Sequence, residues 1–141
     1  MQKAPILIVE DCATDVDLLL WAFRDEGVTH PVIVAGTGHE AVQHMADTRT
    51  VPALMLLDST LCDISGFELL RLFRRESALR HLPIVMFTGL EREGDSIRAR
   101  ELKADAFLTK PATYVDLRAL VRGLQSQWLG TSGADQTRPC N

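Results

Sequence analysis

Short apolar runs alternate along the chain with longer segments in which apolar residues recur at helical spacing. The apolar runs are bounded by proline or acidic residues, and most are rich in β-branched residues, as is typical of buried strands. They predict five strands, over residues 6–9, 31–35, 53–57, 83–88 and 104–109. The Leu-rich third run is also compatible with a helix, but its shortness and the Pro52 before it favour a strand.

Each predicted strand is followed by a predicted helix. The helices cover residues 14–26, 38–47, 66–76, 93–102 and 113–128. Thr14 and Thr37 are candidate N-caps of the first two helices, and Gly27 is the candidate C-terminal stop of the first. Parallel neighbouring strands need crossover connections. The alternation therefore predicts an α/β fold, a doubly wound five-stranded parallel sheet with helices on both faces.

The composition fits one domain. The chain has 141 residues, a net charge of −4 and 46% hydrophobic residues, which is enough for one compact core. Its fifteen Lys and Arg residues are scattered, so binding to nucleic acid is not expected. No run approaches the roughly 20 apolar residues of a membrane span, and the first run is too short for a signal peptide. We therefore expect a cytoplasmic protein, with a domain over residues 1–129 and a disordered tail over residues 130–141.

Ionisable and hydroxyl side chains close four of the five predicted strands. Glu10 and Asp11 follow the first strand, Asp58 follows the third, Thr88 ends the fourth and Lys110 follows the fifth. Ligands of open parallel sheets bind beyond the carboxyl ends of the strands, so these side chains are expected to meet at one edge. Each residue alone is also compatible with a helix cap or a solvated loop, but their joint occurrence in this order indicates a site.

The residue types at this edge suggest phosphoryl chemistry. Clustered carboxylates repel one another and need a cation to stay ionised. An open, all-oxygen site suits Mg²⁺, which retains water and leaves room for a phosphate oxygen. A carboxylate beside the metal can attack a phosphoryl group and form an aspartyl phosphate. Lys110 and Mg²⁺ would offset the charge of the transferred group, and Thr88 would donate a hydrogen bond to it.

The sequence resembles the receiver domains of two-component response regulators over residues 6–128. The resemblance rests on the order and spacing of four segments: ILIVED at 6–11, LLD at 56–58, PIVMFTG at 83–89 and ADAFLTKP at 104–111. It implies the flavodoxin-like strand order 2-1-3-4-5, which this family exemplifies. It also implies a signalling protein rather than an enzyme.

The resemblance further implies a role for each matching residue. Asp58 matches the phospho-acceptor, which takes its phosphoryl group from a histidine of a sensor kinase or a phosphotransfer protein. Asp11 resembles the direct Mg²⁺ ligand, with Glu10 holding the metal through water. Asp58 and the backbone carbonyl of Thr60 complete the implied metal ligands.

Three more residues match the parts of the family that respond to the phosphoryl group. Thr88 and Phe107 resemble the switch pair, in which the hydroxyl moves to the phosphate and the ring turns into the vacated space. Lys110 resembles the phosphate-binding lysine, and its bond to Pro111 is expected to be cis. Leu90, beside the acceptor pocket, cannot orient an attacking water, so slow self-dephosphorylation is expected.

Other positions depart from the family pattern. Lys103 stands where glycine is frequent, and a left-handed conformation there would cost about 1 kcal/mol. Cys12 and Cys62 lie near the expected site and are interpreted either as a redox pair or as small filler residues. The surrounding acids disfavour a reactive thiolate and so favour the filler interpretation. With Cys140 they are three cysteines at no metal-like spacing, so neither a disulfide framework nor a zinc site is predicted.

Few residues follow the last helix, so regulation is expected to pass through contacts with an unidentified downstream protein. A homodimer through the last helix is a further candidate, with Tyr114 or Trp128 partly outside the core. The helix ending in Trp-Leu is similar to that of small stand-alone regulators paired with phytochrome-type kinases. Two alternatives remain, a receiver-fold adaptor that works without phosphorylation and an aspartyl-nucleophile phosphohydrolase. The latter enzymes usually carry a second acid where this chain has Thr60.

Overall fold

A computed structural model describes residues 3–47 and 51–130 of the chain. It contains five strands: β1 (Ile6–Val9), β2 (Val32–Ala35), β3 (Leu54–Leu57), β4 (Ile84–Thr88) and β5 (Ala106–Thr109). All neighbouring strands pair in parallel, in the order β2-β1-β3-β4-β5. The predicted doubly wound five-stranded parallel sheet with the order 2-1-3-4-5 is thus confirmed.

The five predicted helices are also present; α2 has the predicted bounds, and the other four have shifted ends. They are α1 (Ala13–Asp25), α2 (Gly38–Asp47), α3 (Gly66–Arg75), α4 (Asp95–Glu101) and α5 (Tyr114–Leu124). A 3₁₀ turn, Ser77–Leu79, follows α3, and a π-helical turn, Gln125–Leu129, continues α5. Across the described ranges, no helix is long and apolar enough to cross a bilayer. Apart from Gly130, the tail predicted from residue 130 onward lies outside the described residues.

The sheet separates two apolar layers, because successive side chains of a strand point to opposite faces. On one face α2, α3 and α4 cover the sheet, and on the other α1 and α5 cover it. The three central strands β1, β3 and β4 are buried along their whole length. Strands covered on both faces are continuous apolar runs, which explains why the sequence pattern located them well.

The start of α1 corrects one prediction. Thr14 is not its N-cap: the helix begins at Ala13, and the backbone carbonyl of Cys12 accepts the first helical bond, from Val16 N–H at 3.1 Å. The Cys12 side chain makes no capping bond. By contrast, Thr37 Oγ1 accepts from Glu40 N–H at 3.0 Å, so Thr37 acts at the start of α2 as predicted.

Three residues in the left-handed conformation lie next to helix termini, two after a helix and one before a helix. Gly27, at φ 76°, follows α1 as predicted. Gly94, at φ 87°, precedes α4 and delays its start to Asp95, two residues later than predicted. Lys103, at φ 73°, adopts the left-handed conformation whose cost was considered from the sequence. A side chain at such a position carries a steric cost, so the contacts around Lys103 must offset that cost.

Candidate functional site

Strand register places the first two acids side by side. Val9 of β1 lies opposite Leu57 of β3, and the next residues along these strands are Glu10 and Asp58. The Asp58 N–H donates to the Val9 carbonyl at 3.0 Å, which extends the ladder by one residue. Because both strands run in the same direction, the two carboxylates leave the sheet at the same edge.

β4 and β5 carry a hydroxyl and an ammonium to that edge. Thr88 pairs with Thr109, the last residue of β5, and the Lys110 N–H donates to the Thr88 carbonyl at 2.7 Å. The structure therefore brings the residues that close four separate strands into one place.

Three carboxylates form the centre of this place. Glu10 and Asp58 are buried, with 3% and 7% exposure, whereas Asp11 is exposed. Ligand oxygens of the three side chains lie within 4.8 Å of one another. Oxygen-only sets of this kind suit hard divalent cations, so these residues fit the divalent metal that the sequence implied.

The Glu10 carboxyl is buried next to the Asp58 carboxyl and the Lys110 ammonium. Burial raises the pKa of the Glu10 carboxyl to about 7; the Lys110 ammonium opposes this rise and the Asp58 carboxyl adds to it. A raised pKa favours the protonated form of this carboxyl. A divalent cation between the carboxylates would favour the ionised form instead, which is consistent with the fit of the ligand set.

Lys110 places a positive charge beside these carboxylates. Its Nζ donates to Glu10 Oε1 at 2.7 Å and lies 3.4 Å from Asp58 Oδ2. Burial alone would lower the pKa of this ammonium, but hydrogen bonds to Asp15 and Glu10 and the charge of Asp58 outweigh burial and raise it. Lys110 therefore keeps its positive charge next to Asp58.

Asp15 is a member of the site that the sequence pattern did not predict. It lies in the first turn of α1, and its Oδ2 accepts from Lys110 Nζ at 2.7 Å. The signal available in the sequence was an acid four residues after Asp11, in the first turn of the helix that follows the acid pair. Acids are common in first turns because they favour the helix dipole, so this signal alone does not distinguish a site residue.

Ser59 is a second missed residue. It follows Asp58 directly and is buried, with 7% exposure. Its Oγ donates to Thr88 Oγ1 at 2.8 Å. Thr88 itself is 1% exposed, and its hydroxyl donates in turn to the Leu90 carbonyl at 3.1 Å.

Phe107, the second residue of the expected switch pair, lies in an aromatic stack. Its ring centroid is 6.3 Å from that of Phe67 in α3, with an angle of 22° between the planes. The guanidinium of Arg98 in α4 lies 4.3 Å from the Phe67 centroid, within the range of a cation–π contact. Phe107 is half-buried, so α3, α4 and β5 are joined through this stack.

The loop after Asp58 is held tightly against it. The Thr60 N–H donates to Asp58 Oδ1 at 3.1 Å, which places Thr60 beside the acid; the metal-binding role of its carbonyl stays a prediction. Ser65 caps α3 by accepting from Phe67 N–H at 3.1 Å. Gly66 packs directly on the Asp58 backbone, and a Cβ at Gly66 would overlap the Asp58 carbonyl oxygen.

The Lys110–Pro111 bond corrects another prediction. Within the described residues every peptide bond is trans, including this one, so the predicted cis bond is wrong. The trans isomer is the intrinsically preferred form of a bond to proline, and the local sequence alone does not decide between the two.

Cys12 and Cys62 are both free and exposed.

The end of the last helix covers the core only partly. Tyr114 and Trp128 are half-buried and pack against the α1 and α5 side of the sheet. The Tyr114 hydroxyl donates to Asp25 Oδ2 at 2.6 Å. Both residues lie at the boundary between core and surface, as the sequence pattern predicted.

Comparison with known proteins points to the same family that the sequence motifs resemble. The sequence profile of the response regulator receiver domain matches residues 6–122. The response regulator Rcp1 of Synechocystis is 30% identical over 131 residues, which cover 89% of this chain and 89% of Rcp1.

Solved structures agree over nearly the whole chain. The Mn²⁺-bound form of Rcp1 has a TM-score of 0.79 and covers 97% of this chain and 99% of its own. The phosphorylated cyanobacterial phytochrome response regulator RcpA is 28% identical, with a TM-score of 0.81 over 92% of this chain and 96% of its own. The bacteriophytochrome response regulator AtBRR is 32% identical, with a TM-score of 0.75 over 94% and 99% of the two chains. With its strand order and its cluster of acids, the chain belongs to the response regulator receiver domain family.

Proposed function

We propose that Asp58 accepts a phosphoryl group from the histidine of a sensor kinase or a phosphotransfer protein, in a reaction that depends on Mg²⁺. The observation that carries this proposal is the grouping of Glu10, Asp11 and Asp58 within 4.8 Å at the sheet edge of a receiver fold. Lys110 Nζ lies 3.4 Å from the Asp58 carboxylate. The relatives Rcp1 and RcpA, solved with Mn²⁺ and in phosphorylated form respectively, support the same chemistry.

The metal ligands of the proposal are Glu10, Asp11, Asp58 and the backbone carbonyl of Thr60. When bound there, Mg²⁺ supplies positive charge that offsets the charge of the phosphoryl group during transfer. Mg²⁺ is proposed rather than a softer metal because each of these ligand atoms is an oxygen and Mg²⁺ retains water on its open positions.

Asp58 acts as the nucleophile. One of its carboxylate oxygens forms a bond to phosphorus while the bond from phosphorus to the donor nitrogen breaks. The Lys110 ammonium, 2.7 Å from both Glu10 and Asp15, holds its charge beside the transferred group. Apart from this transfer, only slow self-dephosphorylation is proposed, since the exposed Leu90 side chain cannot orient a water molecule.

Thr88 and Phe107 transmit the phosphorylated state. The Thr88 hydroxyl turns toward a phosphoryl oxygen on Asp58, and the Phe107 ring moves into the vacated space. Phe107 stacks on Phe67, and Arg98 of α4 lies over the Phe67 ring. Movement of Phe107 therefore changes the contacts that hold α4 in position. The output surface is proposed to include this helix.

The partners are proteins. A phytochrome-type kinase is the proposed donor class, because RcpA and AtBRR, which match nearly the full chain, are a phytochrome and a bacteriophytochrome response regulator. Downstream signalling is proposed to pass through protein contacts. A homodimer through the end of the last helix, where Tyr114 and Trp128 are half-buried, stays a prediction.

Intact-protein mass spectrometry with acetyl phosphate and Mg²⁺ tests the proposal. The wild type is expected to gain one phosphoryl group, and Asp58→Asn is expected to gain none. Asp17→Asn is the matched control, because Asp17 is an exposed acid on α1; it should gain the group as the wild type does. EDTA should abolish the gain. No gain in the wild type, even with a panel of histidine kinases as donors, would contradict the proposal and favour an adaptor that works without phosphorylation.

A further inference from the structure

We propose that Ser59 is a positioning residue that holds Thr88 in the resting arrangement of the switch. The Ser59 hydroxyl donates to Thr88 Oγ1 at 2.8 Å, and the two residues are only 7% and 1% exposed. This inference rests on the proposed function, because it concerns how readily Thr88 reaches a phosphoryl group on Asp58.

The direction of the hydrogen bond follows from the protons that are available. A threonine hydroxyl has one proton to donate and two lone pairs that accept. Thr88 donates to the Leu90 carbonyl at 3.1 Å, so its bond to Ser59 must use a Thr88 lone pair and a Ser59 proton. The Leu90 N–H, at 3.3 Å, occupies the other lone pair. The Thr88 hydroxyl is thus fully used within the resting structure.

To donate to a phosphoryl oxygen, Thr88 has to withdraw its proton from the Leu90 carbonyl, and the turn of its hydroxyl toward Asp58 also takes Oγ1 away from Ser59. Ser59 then loses its acceptor, and no other partner for its hydroxyl is present among the described residues. A buried hydroxyl left without a partner is unfavourable. The Ser59 bond therefore favours the resting arrangement, and phosphorylation has to overcome it.

The backbone at Ser59 is held in place by Gly66. The Gly66 N–H donates to the Ser59 carbonyl at 3.0 Å. Gly66 also approaches so closely that a Cβ there would lie 2.8 Å from Ser59 Cα. Because these contacts hold the main chain, Ser59 cannot follow Thr88 toward the phosphoryl group through a shift of its backbone.

A graded series of variants tests this role. Ser59→Ala removes the donor, and Ser59→Cys leaves a weaker donor of similar size. The first readout is the χ1 rotamer of Thr88 in the unphosphorylated protein, from three-bond NMR couplings to its methyl carbon. We expect one rotamer in the wild type, averaging in Ser59→Ala and an intermediate value in Ser59→Cys. Ser65→Ala is the control, because this hydroxyl in the same loop caps α3 through Phe67 N–H instead; it should leave the Thr88 rotamer unchanged.

The second readout is affinity for beryllium fluoride with Mg²⁺, a mimic of the phosphoryl group. Loss of one hydrogen bond from the resting state is expected to raise this affinity about fivefold in Ser59→Ala. The gain should disappear when Thr88 is already valine, because no hydroxyl then remains to be released. An undiminished gain in the Thr88→Val background, or an unchanged Thr88 rotamer in Ser59→Ala, would overturn the inference.

The two readouts also separate this inference from the proposed function. Failure of the wild type to bind beryllium fluoride and to gain a phosphoryl group would refute phosphorylation at Asp58. The rotamer of Thr88, measured without any phosphoryl mimic, would still decide whether Ser59 holds it. If Ser59→Ala does not fold, Ser59→Cys gives the same comparison.

Discussion

Arg74 joins two separate segments of the chain, residues 79–82 and 103–105, to α3, and its replacement by alanine is a sensitive test of how the fold is held together. Its Nη1 donates to the carbonyls of Leu79 and Leu82, at 2.9 and 2.8 Å. Its Nε donates to the Lys103 carbonyl at 3.0 Å, and its Nη2 to Asp105 Oδ2 at 2.9 Å. The side chain is only 11% exposed.

The four hydrogen bonds of Arg74 do not contribute equally to the free energy of unfolding. Those to Lys103 and Asp105 lie in exposed surroundings, where water replaces them, and an exposed ion pair contributes about 0–1 kcal/mol. Those to Leu79 and Leu82 are partly buried, and a bond from a charged donor contributes about 1.5–3 kcal/mol. Arg74→Ala is therefore expected to lower the free energy of unfolding by about 3 kcal/mol, mainly through these two carbonyls. The melting temperature should fall by about 10 °C.

Urea unfolding followed by circular dichroism measures this change. Arg75→Ala is the matched control, since the neighbouring Arg75 is exposed, and its free energy of unfolding should stay within about 0.5 kcal/mol of the wild type. Arg74→Lys keeps the charge but cannot reproduce the fork of donors, so it should retain only part of the stability. An Arg74→Ala variant as stable as Arg75→Ala would refute the reasoning.

Three further changes test other parts of the molecule. Gly66→Ala is expected to cost more than about 2 kcal/mol of stability and to abolish phosphorylation, because the new Cβ would overlap the Asp58 carbonyl oxygen; urea unfolding and intact mass measure the two effects. Asp63→Asn is expected to destabilise the protein at neutral pH, because backbone N–H groups at the start of α2 hold the pKa of the Asp63 carboxyl below its ordinary value of 3.8. That contribution is present above the ordinary pKa and is lost as the pH falls through the lowered folded-state pKa, as urea unfolding at several pH values will show. Mg²⁺ is expected to raise the melting temperature of the wild type more than that of Asp11→Asn, in calorimetry with and without the ion.

Each of these expectations has a contrary outcome. A Gly66→Ala variant that folds and gains a phosphoryl group at the wild-type rate would show that the loop yields to the added methyl group. A stability difference between wild type and Asp63→Asn that is constant down to strongly acidic pH would rule out the titration of Asp63 as its origin. Equal stabilisation of wild type and Asp11→Asn by Mg²⁺ would remove Asp11 from the metal ligands.

Much of the architecture follows from periodicity. The central strands are buried on both faces, and such strands are apolar along their whole length. Residues 6–9 and 83–88 were therefore recognisable as strands from the sequence. The strand order came from the family resemblance instead, because apolar patterns do not state which strands are neighbours. Helix ends were less accurate. The start of α1 depends on the Cys12 carbonyl and the start of α4 on the backbone of Gly94, and neither is visible in a pattern of side chains.

The sequence by itself determined which edge of the sheet would carry the chemistry. The carboxyl ends of parallel strands lie at the same edge of a sheet. Glu10, Asp58 and Thr88 therefore lie close together once the parallel sheet has formed. Only the tertiary structure decided what these groups contact. Asp15 reaches Lys110 across 95 positions of the chain, and Ser59 reaches Thr88 across 29. Such contacts depend on how α1 packs on the sheet and on the rotamer each side chain adopts, and packing of distant segments is not encoded in local spacing.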